Sequence, residues 1–196
     1  MGAKVKCAVL ISGGGSNMQA LAEAARAPDY PAQIALVVSN RPNAGGLARA
    51  EALGIQAMCI NHKDFGDRED FERALDAVLR EAGAELVVCA GFMRVLTPWF
   101  VSRWSGRIIN IHPSLLPKYK GLHTHRRALE AGDSEHGASV HYVSEELDGG
   151  AVIAQARVPI TAGDTEETLA AKVLIKEHPL YVKALKTVAK TMAKQP

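Results

Sequence analysis

Asn110 and His112 are the residues whose types and spacing most directly invite chemistry. A side-chain amide donates hydrogen bonds, and an imidazole carries or moves a proton near neutral pH. They stand in Ile109-Asn110-Ile111-His112-Pro113-Ser114-Leu115-Leu116-Pro117. Alternate residues of an extended chain share a face, so Asn110 and His112 project together while Ile109 and Ile111 point into a core. Pro113 has no backbone donor and a fixed φ, which ends the strand at His112 and leaves the imidazole on the rim, within reach of a ligand. Pro117 makes the next segment a shaped loop. The same pattern also describes a strand end whose polar groups satisfy only local backbone, and the segment alone leaves both readings open.

A second constellation is Ser12-Gly13-Gly14-Gly15-Ser16-Asn17, which follows an apolar run and opens a helical pattern. Free backbone N–H groups at a helix start make an anion-sized hollow, and three consecutive glycines exceed what a tight turn requires. Phosphate binding is therefore expected; the plainer alternative is a turn with Ser16 or Asn17 as helix cap. No Gly-Lys-Ser/Thr follows, so this is not a P-loop, and Met18 replaces the third glycine of a dinucleotide fingerprint. Ser39-Asn40 lacks the acidic residue that grips a ribose in NAD binders, which argues against a redox enzyme.

The elements that must hold these residues read as α/β. Short buried runs at Val5 to Ile11, Ile34 to Val38, Ala57 to Ile60, Leu86 to Cys89 and Ile108 to Ile111 alternate with helical stretches. The helices begin at Ser16, span about Ala44 to Leu53, and run from Asp67 to Ala82, implying a parallel, doubly wound sheet. From Ala138 the grammar changes. Ser139 to Val143 and Ala151 to Gln155 flank Asp148-Gly149-Gly150, a hairpin signal in which Asp148 has an easy role as first residue of an Asp-Gly turn. The last helix runs through Leu169, Val173, Leu174 and Leu185, with Asp164 as cap and an interruption at Pro179.

A chain of 196 residues with 47% hydrophobic and 22% charged residues suits one domain, residues 1–196, without linker or repeat. A net charge of +2 gives no field suggesting nucleic acid or a membrane surface as partner. Cys7, Cys59 and Cys89 each sit in an apolar run as small core hydrophobes. Their odd number and an N-terminus without a secretory pattern favour a cytoplasmic setting. His123, His125, His136 and His141 make the best case for a metal, but no acidic or cysteine partner stands at ligand spacing, so none is expected. His123 and His125 instead shape the loop from Lys118, hinged at Gly121 and able to close over substrate.

Gly15-Ser16-Asn17, Ala90-Gly91-Phe92-Met93-Arg94, Asn110 to His125 and Glu146-Leu147-Asp148-Gly149-Gly150, in that order and spacing, closely resemble the phosphoribosylglycinamide formyltransferase family. The resemblance covers nearly the whole chain. It implies a Rossmann-like formyltransferase fold, mostly parallel and doubly wound, with a late antiparallel hairpin and a C-terminal helix. It further implies a phosphate-binding half at about 1–100 and a catalytic and folate-binding half at about 101–196. The implied reaction moves a formyl group from 10-formyltetrahydrofolate, a cosubstrate, to the amine of glycinamide ribonucleotide, without metal. The implied catalytic trio is Asn110, His112 and Asp148. Gly15, Ser16 and Asn17 would hold the substrate phosphate and Glu177 its ribose, although Glu177 alone reads as an exposed helix position. Folate would meet Arg68, Met93, Arg94, Val95, Leu96 and Asn110. For Arg68 the residues alone suggest only a surface position after a cap at Asp67. A cis Leu116-Pro117 bond would suit a shaped turn.

The chemistry accounts for these types. Attack of an amine on the formyl carbon builds negative charge on the formyl oxygen, which N–H groups of Asn110 and an imidazolium His112 would stabilise. A carboxylate at Asp148 is expected to raise the His112 pKa and keep it charged, and the two would shuttle the proton from amine to folate nitrogen. Two sister families, methionyl-tRNA formyltransferase and the 10-formyltetrahydrofolate hydrolase, need further domains that this length does not hold. A regulatory nucleotide-binding module would use the glycine loop without the trio. Gly14 stands where relatives often carry a larger residue. The ending at Met192-Ala193-Lys194-Gln195-Pro196 removes any partner surface built on a longer terminus, and a homodimer is left open.

Overall fold

The five buried runs become β1 (Val5–Ile11), β2 (Ala32–Ser39), β3 (Ala57–Cys59), β4 (Leu86–Cys89) and β5 (Ile108–His112) in a computed structural model that describes residues 3–194. Gln195 and Pro196 of the terminal stretch lie outside the described residues. These strands pair in parallel, and β6 (Glu135–Tyr142) and β7 (Val152–Pro159) add antiparallel neighbours, giving one seven-stranded sheet of order β3-β2-β1-β4-β5-β6-β7. The chain order reverses between β1 and β4. In open α/β sheets such a switch point leaves a crevice at the carboxyl ends of the strands, where the glycine loop and the segments after β4 and β5 emerge.

Both faces of the sheet are covered because both strand faces are apolar. Cys7, Val9, Ile11, Ile109 and Ile111 pack under α1 (Ser16–Ala25), α2 (Gly45–Ala52) and α6 (Glu166–Met192). Ala8, Leu10, Val87 and Ile108 meet Phe71, Leu75 and Leu79 of α3 (Arg68–Glu81) and Phe100 of α4 (Pro98–Arg103). Phe71, Leu75 and Leu79 recur every four residues, so one stripe of α3 is fully buried, each side chain contributing about 1.5–3 kcal/mol. The fifth α-helix, α5 (Thr124–Glu130), stands before β6 and follows the loop that leaves β5. Cys59 departs from expectation: β3 is an edge strand and its thiol is exposed. Cys7 and Cys89 are buried, and burial pushes both thiols up to about 12, so they pack as inert hydrophobes.

Three local expectations are corrected. The helix after the glycine loop is capped neither by Ser16 nor by Asn17; Gly15 is the N-cap, at φ 73°, with no side-chain cap bond. The last helix is capped by Thr165, in a reciprocal box with Thr168, while Asp164 binds the Thr161 amide, Thr168 Oγ1 and Lys172 Nζ. α6 also runs 27 residues straight through Pro179. Both Pro179 and Ile175, whose carbonyl loses its partner, lie on the exposed side, so the buried stripe of Leu169, Val173, Leu180, Tyr181 and Leu185 continues unbroken.

The hairpin is real, but its connection is longer than the Asp-Gly signal implies. Tyr142 N–H meets Ala151 O across a loop, and the tight turn inside that loop is closed by Gly149 N–H on Glu146 O. Asp148 is therefore a central residue of the turn, at φ 49°, rather than a strand neighbour.

The glycine loop is locked against α2. Gly46 N–H donates to Gly13 O at 3.0 Å, and the two glycine backbones touch: a Cβ on Gly15 would meet Gly46 Cα at 2.8 Å. A Cβ on Gly46 would meet Ile11 Cδ1 at 2.5 Å, whereas one on Gly14 would meet nothing within 4 Å. Gly46→Ala should lower the unfolding free energy by about 1–3 kcal/mol through overpacking. Gly14→Ala should leave it within about 0.5 kcal/mol, as for an unencumbered surface change. Urea denaturation of both variants checks the contrast.

Candidate active site

Asn110 and His112 end β5 on one face, as their alternation requires, and Pro113 follows without an amide to extend the pairing. Asp148 reaches them from the loop between β6 and β7. Its Oδ2 lies 3.4 Å from His112 Nδ1 and its Oδ1 3.6 Å from His141 Nε2. The Gly121 amide donates to Asp148 Oδ2 at 2.9 Å. His141, on β6 opposite Asn110, completes the group: its Nδ1 faces the Tyr142 carbonyl at 2.8 Å and its Nε2 lies 3.3 Å from Asn110 Nδ2. The Tyr142 carbonyl accepts the Nδ1 proton, and Nε2 lies between the Asn110 amide and the Asp148 carboxylate, so His141 links the two. The sequence weighed His141 only as a metal candidate; its antiparallel pairing partner Asn110 is what brings it beside Asp148.

His112 is not on an open rim. It is 6% exposed, because the segment after Pro113 folds back over it and the Tyr119 carbonyl accepts from Nε2 at 2.9 Å. That segment is pinned. Ser139 Oγ bonds both the Ser114 carbonyl and the Leu116 amide, Gln155 Nε2 meets the Leu116 carbonyl, and the Leu116–Pro117 bond is cis. Tyr119 donates its hydroxyl to Asp133, Lys118 pairs with the same carboxylate, and Arg127 binds the carbonyl of Lys120. His125 and His136 meet at 3.1 Å behind it, and burial, reinforced by the charge of His125, pushes His136 down to about 4. His123 is exposed; among the described residues no cluster of three or more His, Cys, Asp or Glu has metal-holding geometry.

The electrostatics differ from expectation at one point. Burial pulls the His112 pKa below its usual value, and it outweighs the Tyr119 carbonyl and the Asp148 charge, which both act upward. Burial also opposes ionisation of Asp148, but there His141, the Gly121 amide and the two imidazoles win and hold the carboxyl below the usual range. These directions favour a charged Asp148 beside a neutral His112 over the standing imidazolium expected from charge pairing alone.

Two neighbouring groups share this sheet edge. Leu10, Cys89 and Asn110 are in register across β1, β4 and β5, which puts the glycine loop roughly two strand spacings, about 10 Å, from the trio. Asn17 Nδ2 donates to Glu177 Oε2 at 2.8 Å, and both residues are 8% exposed. Burial raises the Glu177 pKa, and Asn17 Oδ1 is buried without a partner among the described residues. Glu177 is thus not an exposed helix position: it interrupts the stripe Leu169, Val173, Tyr181, Leu185 at four-residue spacing, a signal present in the sequence. Tyr181 anchors the same helix by donating to the carbonyls of Cys89 and Ile109.

After β4, Met93 and Val95 stand 63% and 50% exposed, while Arg94 lies over the Phe71 ring and Leu96 packs against the core. Arg68, exposed, opens α3 next to an Asp67 cap that accepts from Asp70 N–H at 2.8 Å. The structure therefore gathers Asn110, His112 and Asp148 into one group, Asn17 and Glu177 into a second, and Met93 to Leu96 beside both.

A formyl transferase family profile matches residues 5–185. The chain belongs to the formyl transferase family. It is 51% identical to the phosphoribosylglycinamide formyltransferase of Escherichia coli (strain K12), over 88% of this chain and 82% of that protein. It is 50% identical to the trifunctional purine biosynthetic protein adenosine-3 of Gallus gallus, covering 95% of this chain but only 18% of that longer protein. The crystal structure of the phosphoribosylglycinamide formyltransferase from Brucella melitensis superposes with a TM-score of 0.91 at 50% identity, covering 95% of this chain and 96% of that one. The fold of this family member is thus the mostly parallel, Rossmann-like sheet with a late antiparallel pair and a C-terminal helix.

The charge balance makes a direct prediction for this formyl transferase. The His112 imidazole should titrate below about 6.5 by NMR, and lower still in Asp148→Asn, since the lost carboxylate charge is one that raises it. A rise on that substitution would contradict the balance.

Proposed function

We infer that this chain transfers the formyl group of 10-formyltetrahydrofolate to the amine of glycinamide ribonucleotide, giving formylglycinamide ribonucleotide and tetrahydrofolate. The carrying observation is the group of half-buried Asn110 with the buried side chains of His112, Asp148 and His141, at the same end of the sheet as a glycine loop. Identity of 51% to a named phosphoribosylglycinamide formyltransferase over most of both chains supports the same reading.

The loop amides of Gly15, Ser16 and Asn17 open α1 without a side-chain cap, which suits them to the phosphate of the acceptor. Glu177, held by Asn17, offers its carboxylate to ribose hydroxyls. The exposed Met93 and Val95, with Arg94, Leu96, Arg68 and Asn110, take the folate. One unit then serves both substrates: the first hundred residues supply the phosphate loop and Met93 to Leu96, and the remainder supplies the trio and Glu177.

In the chemical step the acceptor nitrogen bonds to the formyl carbon, and electrons move onto the formyl oxygen. The Tyr119 carbonyl oxygen marks the acceptor position on His112 Nε2 that the formyl oxygen takes when the loop shifts. Asn110, in contact with His141, supplies a second N–H. Charge on the oxygen and on Asp148 together favour a second proton on His112, and the attacking amine is the group that must shed one. Collapse breaks the bond to folate N10, which leaves with that proton. No covalent enzyme intermediate forms and no metal is required.

The test follows folate absorbance with and without glycinamide ribonucleotide. Acceptor-dependent turnover is expected, and Asp148→Asn should lower kcat at least about 100-fold. Turnover without acceptor would indicate a hydrolase, silence in both arms a binding module, and an unimpaired Asp148→Asn enzyme would remove the trio.

A further inference from the structure

Glu72 is a fully buried carboxylate that the formyl-transfer chemistry does not use. It lies on α3 one turn beyond Arg68, and its two oxygens accept from the same residue, Thr97: the backbone N–H at 2.8 Å and the hydroxyl. Thr97 is in turn the N-cap of α4, accepting from Phe100 N–H. This closes the far end of the segment after β4. At the near end, Met93 N–H donates to Ser12 Oγ at 2.8 Å, and Ser12 is itself bonded to Asn40. Between the two anchors stand the exposed Met93 and Val95 and the half-buried Arg94, whose Nε is buried without a partner among the described residues.

An ionised carboxylate inside a core is costly unless hydrogen-bonded and paired, and an apolar residue would pack more simply beside Phe71 and Leu75. Burial raises the Glu72 pKa; Thr97 and the charges of Arg68 and Arg94 act the other way. A polar group held at such a cost, with both oxygens spent on one residue of a single segment, serves the shape of that segment.

We propose that Glu72 is a positioning residue for the folate cosubstrate, fixing residues 93–97 through Thr97 so that the slot they line is formed before folate arrives. The proposal rests on the reading of Met93 to Leu96 as the folate segment. Steady-state kinetics of the full chain test it with Glu72→Gln, Thr97→Val and the conservative Thr97→Ser. KM for 10-formyltetrahydrofolate should rise roughly tenfold in Glu72→Gln and in Thr97→Val, the loss expected for a buried charge-assisted hydrogen bond. KM for glycinamide ribonucleotide and kcat should stay within about twofold, Thr97→Ser should match the unmodified enzyme, and the double variant should be no worse than either single one. Should Glu72→Gln not fold, Thr97→Val decides. An unchanged folate KM in a soluble variant, or a parallel loss in kcat and in both KM values that Thr97→Ser shares, overturns the proposal alone. An unmodified enzyme that turns over no formylfolate overturns the functional reading and the proposal with it.

Discussion

The active-site end of the sheet depends on the buried carboxylate of Asp148. It lies between the imidazoles of His112 and His141 and accepts the Gly121 amide. Three other pieces of chain converge on it, the end of β5, the C-terminal end of β6 and the loop that covers His112, and its own turn holds it at φ 49°. A backbone in the left-handed region with a side chain as short as aspartate is tolerable, and here it is what aims the carboxyl back into the sheet edge. Without that charge each imidazole would keep its backbone carbonyl, Tyr119 for His112 and Tyr142 for His141, but the group that links them would be lost.

The same carboxylate works against the burial that lowers the His112 pKa. Burial and charge pairing act on one imidazole in opposite directions, and in the ligand-free molecule burial prevails. New negative charge on a reacting oxygen acts on the same ring in the upward direction, as Asp148 does. A permanently protonated histidine would bind ground state and transition state alike, whereas a neutral one that gains its proton as charge develops favours the transition state alone. The Tyr119 carbonyl accepts from His112 Nε2 and satisfies that side of the ring.

Much of this was legible in the sequence because much of it is local. β4 and all of β1 but the exposed Lys6 are apolar, with glycine nearby, so their bounds follow from composition, and the Asn-x-His alternation places two side chains on one face. Distant contacts were not legible. The lid over His112 depends on Ser139, Gln155 and Asp133, up to 39 residues away in sequence. His141 and Glu72 gain their roles only through partners on other elements. Two misreadings came from weighing a strong local signal alone. Pro179 argues for a helix break, yet it falls on the solvent side of a stripe long enough to hold the helix. Asp164 looks like a cap, yet the Thr165 and Thr168 pair takes that place and frees it for Lys172. Glu177 could have been read, since a carboxylate in the middle of an apolar stripe is a signal in its own right.

The central claim is that His112 is neutral at rest and takes up a proton when negative charge forms at the formyl oxygen. Calorimetric titration with a folate analogue whose hydrated, tetrahedral carbonyl occupies the formyl position measures this directly when repeated in buffers of different ionisation enthalpy. The account predicts uptake approaching about one proton per site at neutral pH, lost in His112→Asn. Tight binding with no proton uptake by the unmodified protein would contradict it.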